Sequence, residues 1–444
     1  MRHSESYNNR FAMVNRLLIA FLPFFAFSLL ILNSCGNNEK EELKSKALAV
    51  PGGKKIIKEK KIEKVIFFIE NSGSMLGYVK EANDYKNAIV SLSYLQEIDS
   101  FQKEFYFING TNNPLKNSKI SVNFIGNNPE QLENSLNQTS FITHGDPKYS
   151  DLTTMFEKAL ESTRNGAISI LISDCIYDVG EERNPIAALK IETEKTKKVF
   201  RDVLAKQNIQ TIIIKAESRF KGNYYYASKK GSRYINQKRP FYILIFGESN
   251  LLNTHFKDDI ISKNIEGFVS IARFMKIDAI KIPYRETTEN LIGSFKSKEK
   301  TILKQVKPGP KGFGFQFSFA VDYSSLPFSN SFLESWDNYS CNQDYTLIKP
   351  IIKPSKKILG LDFNPTHLIT VFSDKSHYGN IEIVLKYGIP DWIRETNSTD
   401  ENSINQDTLH TFGFEALTNA ITETYQYEAQ TQKLAIYKFQ ILKN

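Results

Sequence analysis

The chain has 444 residues, a formal net charge of +8 at pH 7 and three cysteines, Cys35, Cys175 and Cys341. So few cysteines exclude a disulfide framework, so packing must hold the fold, and 41% apolar residues give it real cores. The modest basic excess points to anionic surroundings rather than nucleic acid, and no ordered nucleic-acid motif occurs.

Residues 1–35 read as a secretory signal. Arg10 and Arg16 are basic, residues 17–32 are almost wholly apolar, and Leu32-Asn33-Ser34-Cys35 follows. Met13 is an alternative start. This ending resembles the lipobox of bacterial lipoproteins, which implies acylation at Cys35. An uncleaved anchor competes, but the apolar run is short for a span and contains Pro23. Residues 36–61 are rich in Lys and Glu and broken by Pro51-Gly52-Gly53, as in a solvated tether.

Residues 65–69 (VIFFI) form a continuous apolar run, which predicts a strand buried on both faces. Glu70, Asn71, Ser72, Gly73 and Ser74 end it, and a helix with Tyr85, Ala88, Ile89 and Leu92 on one face follows. Further strands are expected at 104–109 and 120–125. A helix starts near Asp151, with Met155, Phe156, Ala159 and Leu160 as its apolar face. A second buried strand, 167–173, ends in Asp174. A long helix follows Asn184-Pro185, then strands at 211–215 and 241–246, a hairpin around 220–227, and a helix-like stretch over 251–275.

Residues 276–312 read as a linker region that ends in a Pro/Gly loop at 307–312. The period then changes to alternation at 315–321, with similar runs at 368–372, 381–387 and 434–441. One helix, with Phe414, Leu417, Ile421 and Tyr425 as its stripe, interrupts them. Residues 313–444 therefore predict a β-rich domain, sandwich-like or α+β.

A buried strand, an oxygen-rich loop and a helix is where open α/β sheets place ligands, and an all-oxygen donor set suits a hard cation. Glu70-x-Ser72-x-Ser74 resembles the first metal motif of the von Willebrand factor A domain family, which carries D-x-S-x-S after its first strand. The resemblance spans residues 62–275 and implies a doubly wound, mostly parallel α/β sheet. It also implies bound Mg²⁺, or Mn²⁺ or Ca²⁺. Ser72, Ser74 and Thr154 would be direct ligands, with Thr153 as the alternative to Thr154. Glu70 and Asp174 would act largely through water, and an acidic group of the partner would complete the shell. The family's Gly-Gly pair before the threonine is missing, and Cys175 stands where the family usually has Gly. The plain alternatives are a Ser/Gly turn with Glu70 in solvent, threonines that only cap a helix, and an Asp174 that caps a turn.

No catalytic constellation is present. The histidines lack metal spacing and there is no G-x-S-x-G elbow. The expectation is a lipid-anchored protein of the bacterial envelope, with the outer membrane as its expected site. Its divalent-metal-dependent module would bind a protein partner or an anionic envelope polysaccharide, and no nucleic acid. A scaffold with a degenerate metal site and a metal-assisted hydrolase built on Glu70 and Asp174 are the alternatives.

Overall fold

The computed structural model describes residues 64–443 apart from 82, 111–119, 149, 180–183, 228, 277–281, 327, 329, 343, 355–357, 359, 376, 403, 405–406 and 430. Cys35 and the 36–61 tether lie outside the described residues. Among the described residues no helix is long and apolar enough to cross a membrane.

The chain begins with β1 (Lys64–Glu70), a 3-10 turn (Gly73–Tyr78), α1 (Asp84–Ser93), β2 (Gln102–Gly110), β3 (Ile120–Gly126), α2 (Pro129–Ser135), α3 (Gln138–Thr143) and α4 (Leu152–Glu161). It continues through β4 (Ile168–Ser173), α5 (Pro185–Leu204), β5 (Ile209–Tyr225), β6 (Ser232–Glu248), α6 (Ser249–His255), α7 (Asp258–Asn264) and β7 (Phe268–Phe274). Side chains of Asn83, Asn128, Asn137, Asp151 and Asn184 cap helices by accepting a first-turn N–H, so short polar residues set where each begins.

These strands form one seven-stranded sheet in the order β3-β2-β1-β4-β6-β5-β7. The expected doubly wound, mostly parallel sheet does not form. Only β1–β2 and β1–β4 run parallel, while β2–β3, β4–β6, β5–β6 and β5–β7 are antiparallel. The reason is connection length. A parallel return needs a crossover of a dozen or more residues, as the segment with α1 provides between β1 and β2, whereas only six residues separate Tyr225 of β5 from Ser232 of β6. Their pairing runs from Ile209–Glu248 to Tyr225–Ser232, far longer than the hairpin expected around 220–227. The stretch expected to be helical over 251–275 instead holds α6, α7 and the edge strand β7. Phe156 of α4 and Phe200 of α5 meet Phe246 on one sheet face, and Tyr85 of α1 meets Phe241 on the other.

The described residues form one compact unit. The segment read as a linker carries β8 (Tyr284–Ile292), β9 (Ser294–Glu299) and β10 (Ile302–Lys307). Beyond it lie β11 (Phe315–Val321), α8 (Asn330–Glu334), β12 (Tyr339–Cys341), β13 (Thr346–Ile352), β14 (His367–Ser373) and β15 (Gly379–Lys386). α9 (Asp391–Thr396), the short parallel pair β16 (Asn397–Ser398) and β17 (Thr411–Phe412), α10 (Phe414–Ala429) and β18 (Lys433–Ile441) complete the chain. They build a five-stranded sheet, β12-β15-β18-β10-β9, and a four-stranded antiparallel sheet, β13-β14-β11-β8. Phe317 and Phe319 of one sheet meet Phe439 of the other at ring-centroid distances of 5.2 and 5.0 Å. α10 does not stay with these strands. It packs on α5 and the first sheet, where Phe414 stacks on Tyr242 at 4.1 Å.

Candidate functional site

β1 is buried on both faces, so the chain reaches the sheet's carboxyl edge with Glu70 only 2% exposed. The solvent-facing alternative for Glu70 is thereby overturned. The following loop is pinned from several sides. Asn71 donates its amide to the carbonyls of Phe141 and His144, at 3.0 and 2.6 Å, and Gly73 N–H donates to Pro147 O at 2.7 Å. At Gly73 the need is space: a Cβ there would meet Pro147 O and the Tyr225 ring at 3.3 Å each. Tyr78, at the end of the 3-10 turn, packs against Phe220 and Tyr85 and donates its hydroxyl to Pro240 O, which ties the turn to the β5–β6 hairpin.

Six oxygen-bearing side chains converge at this edge. Ser72 Oγ and Ser74 Oγ lie 3.0 Å apart. Ser150 Oγ donates to Glu70 Oε1 at 2.9 Å, and Ser173 Oγ donates to Glu70 Oε2 at 2.5 Å. Asp174, at the end of β4 and 3% exposed, accepts from Ile176 N–H, and the nearby Ser74 hydroxyl favours its ionised form. Cys175 follows with a positive φ of 56°, so the chain turns away sharply there.

Neither threonine joins the cluster. Asp151 accepts from Thr154 N–H at 3.0 Å, so the helix starts at Leu152 and both threonines lie within its first turn. Thr153 Oγ1 meets Thr196 Oγ1 at 3.2 Å, while Thr154 lines a separate depression with Ile120 and Glu157. Ser150, just before the cap, takes the place assigned to a threonine. The signal that points to it is the cap itself. Asp151 at the N-cap leaves Ser150 outside the helix, with its hydroxyl on Glu70.

The electrostatics follow from burial. Glu70 is pushed up to about 7 by burial and by the charge of Asp174, against hydrogen bonds from Ser173, Ser72 and Ser150. Asp174 is also raised by burial, and the Arg239 guanidinium opposes that rise. Arg239 is 1% exposed and lies over the Tyr224 ring at 4.3 Å and the Phe220 ring at 5.3 Å. None of its guanidinium nitrogens makes a hydrogen bond to a described residue.

Ser72, Ser74 and Ser150 open onto a cavity of about 460 Å³ walled by Lys148, Ile176 and Tyr225. Apart from Lys148, the polar side chains that line it carry oxygen, Asp178 among them, and two buried carboxylates lie behind, which fits a hard divalent cation. Among the described residues no three His, Cys, Asp or Glu side chains are grouped for a metal, so hydroxyls would have to supply most positions. No family model, curated protein or solved structure matches the chain.

Proposed function

We propose that the chain is an envelope lipoprotein whose first sheet carries a divalent-cation-dependent binding site for an acidic group of a partner. The observation that carries this is the convergence of Glu70, Ser72, Ser74, Ser150 and Asp174 beneath one cavity. Two buried carboxylates repel each other, and a cation between or above them relieves that repulsion. Ser72, Ser74 and Ser150 would hold the ion, with Glu70 and Asp174 supplying charge behind them. A bound cation supplies positive charge and an open coordination position. The chain's own residues shape the access, exclude bulk water through Ile176 and Tyr225, and fix the hydroxyls by hydrogen bonds.

Calorimetric titration of the purified full chain with Mg²⁺ and Mn²⁺, paired with thermal melts, tests the reading. Binding to the folded state alone raises the melting temperature by mass action. Asp174→Ala should abolish both the heat and the shift. A folded wild-type chain that gives neither at millimolar metal would refute the proposal. For the anchor, Cys35→Ala should move the protein from the membrane fraction to the soluble one, and unchanged retention counts against acylation.

Arg239 favours a second reading, a scaffold that needs no metal. Its fixed positive charge near Asp174 already balances part of the site. In that reading Mg²⁺ gives no heat, and Arg239→Met unfolds the site instead of tightening metal binding.

A further inference from the structure

We infer that the acidic ligand of this site is a uronic-acid residue of a polysaccharide rather than a side chain on a protein surface. The inference rests on the cation-dependent reading and adds the class of partner. Its observations come from the β5–β6 hairpin, of which that reading uses only Tyr225.

The hairpin continues well beyond the sheet edge and is held against the 3-10 turn. Gly77 and Gly222 approach so closely that a Cβ on Gly222 would lie 2.9 Å from Gly77 Cα. Val179 N–H donates to Ala227 O at 3.1 Å and fastens the far end of the hairpin to the segment after β4. The arm therefore stands as a fixed wall beside Ser72 and Ser74, and Tyr225, Tyr226 and Ala227 line the cavity from it. A flat protein face cannot reach a floor behind such a wall. A slender chain can, and about 460 Å³ accommodates one or two pyranose rings.

The lining matches a sugar acid in two respects, an aromatic surface and a basic rim, and it also carries the carboxylate of Asp178. Tyr225 is 47% exposed and its ring lies beside Gly73, so it offers an aromatic surface for the C–H face of a pyranose. Lys148 sits exposed at the rim and adds a positive charge for the carboxylate. Lys229 stacks over the Tyr226 ring at 4.3 Å, so the same wall carries a second cation that attracts a polyanion. An isolated acidic side chain on a peptide would satisfy the cation but leave the Tyr225 surface uncovered.

The test is calorimetry on the full chain in Mg²⁺ with trigalacturonate, with neutral maltotriose, and with a blocked tripeptide that carries one glutamate. Trigalacturonate should bind and maltotriose should give no heat, with the peptide at least about ten-fold weaker. Tyr225→Ala should weaken trigalacturonate about ten-fold while Tyr225→Phe keeps it within about two-fold, because the ring and not the hydroxyl is used. Melting curves that match wild type show that Tyr225→Ala still folds. Equal binding of peptide and trigalacturonate, or no effect of Tyr225→Ala, overturns the inference in favour of a protein acid. Equal binding of maltotriose overturns it in favour of an uncharged glycan. Mg²⁺ heat with no trigalacturonate binding defeats the inference and leaves the cation reading standing. Absence of Mg²⁺ heat defeats the cation reading and the inference with it.

Discussion

Ser150 Oγ lies 2.9 Å from Glu70 Oε1, although 80 residues separate them in the chain. The contact exists because Asp151 caps α4 and leaves Ser150 outside the helix, facing the end of β1. Ser150→Ala should therefore weaken Mg²⁺ binding by about ten-fold, the usual effect of losing a hydroxyl that orients a ligating or charge-supplying group. Ser150→Thr should keep binding within a few-fold. Thr154→Ala, on the far side of the cap, should change nothing. Calorimetric titration of the three variants decides, and a loss at Thr154 equal to that at Ser150 would reverse the assignment.

Glu70 gives the protein a pH dependence of definite sign. In the folded chain it holds its proton up to about 7, against an ordinary value of 4.5. The native state therefore binds more protons than the unfolded state between those values, and stability falls as pH rises through that window. Its contribution is fully present below about pH 4.5 and is lost above about pH 7, a change on the order of 3 kcal/mol. Asp174, also raised by burial, adds a slope of the same sign. Metal-free protein should need more urea to unfold at pH 5 than at pH 7.5, and Glu70→Gln should flatten the difference. A divalent cation competes with that proton, so Mg²⁺ should stabilise more at pH 7.5 than at pH 5. Equal urea midpoints at both pH values in wild type would contradict this account.

Gly77 meets the hairpin so closely that any Cβ there overlaps the Phe220 ring. Gly77→Ala should cost about 1–3 kcal/mol, the usual range for overpacking a core contact. It should also loosen the wall of the cavity. Gly388 has open space around it and an ordinary φ, so Gly388→Ala should lie within about 0.5 kcal/mol of wild type. Adding Phe220→Leu to Gly77→Ala should recover part of the loss. Urea unfolding of the three variants measures these differences, and a neutral Gly77→Ala would mean that the hairpin can retreat.

The strand cores were legible because Val65, Phe67, Ile170 and Ile172 sit in unbroken apolar runs, which only a doubly buried strand requires. The carboxyl-edge placement of Glu70 and Asp174 followed from the same runs. Strand direction did not, because β5 and β6 are just as apolar as parallel strands. The turn that makes them antiparallel lies beyond Tyr225, in a polar stretch. Ser150 was not legible because a cap one residue away decides whether Ser150 or Thr154 faces the sheet edge. Arg239 was invisible for another reason. It lies before the strand read at 241–246, and its burial depends on Tyr224 and Phe220 across the hairpin. The docking of α10 on the first sheet joins residues more than two hundred positions apart, which no local pattern records.

That docking supplies the last prediction. Phe414 stacks on Tyr242 at 4.1 Å with an interplanar angle of 19°, and Tyr425 Oη lies 2.9 Å from Thr211 Oγ1. Both side chains are buried, so α10 covers a face of β5 and β6 that would otherwise be open. Phe414→Ala should cost about 3–5 kcal/mol through the cavity it leaves. Tyr425→Phe should cost about 1 kcal/mol, since it removes one buried hydrogen bond and keeps the ring. A chain ended before Phe414 loses the helix and β18 together, which exposes the first sheet and strips the second of a central strand. It should not fold. Limited proteolysis with cuts in residues 276–312 should likewise fail to release a stable fragment of residues 64–275. Recovery of such a fragment with a cooperative melt would show that the first sheet stands without α10.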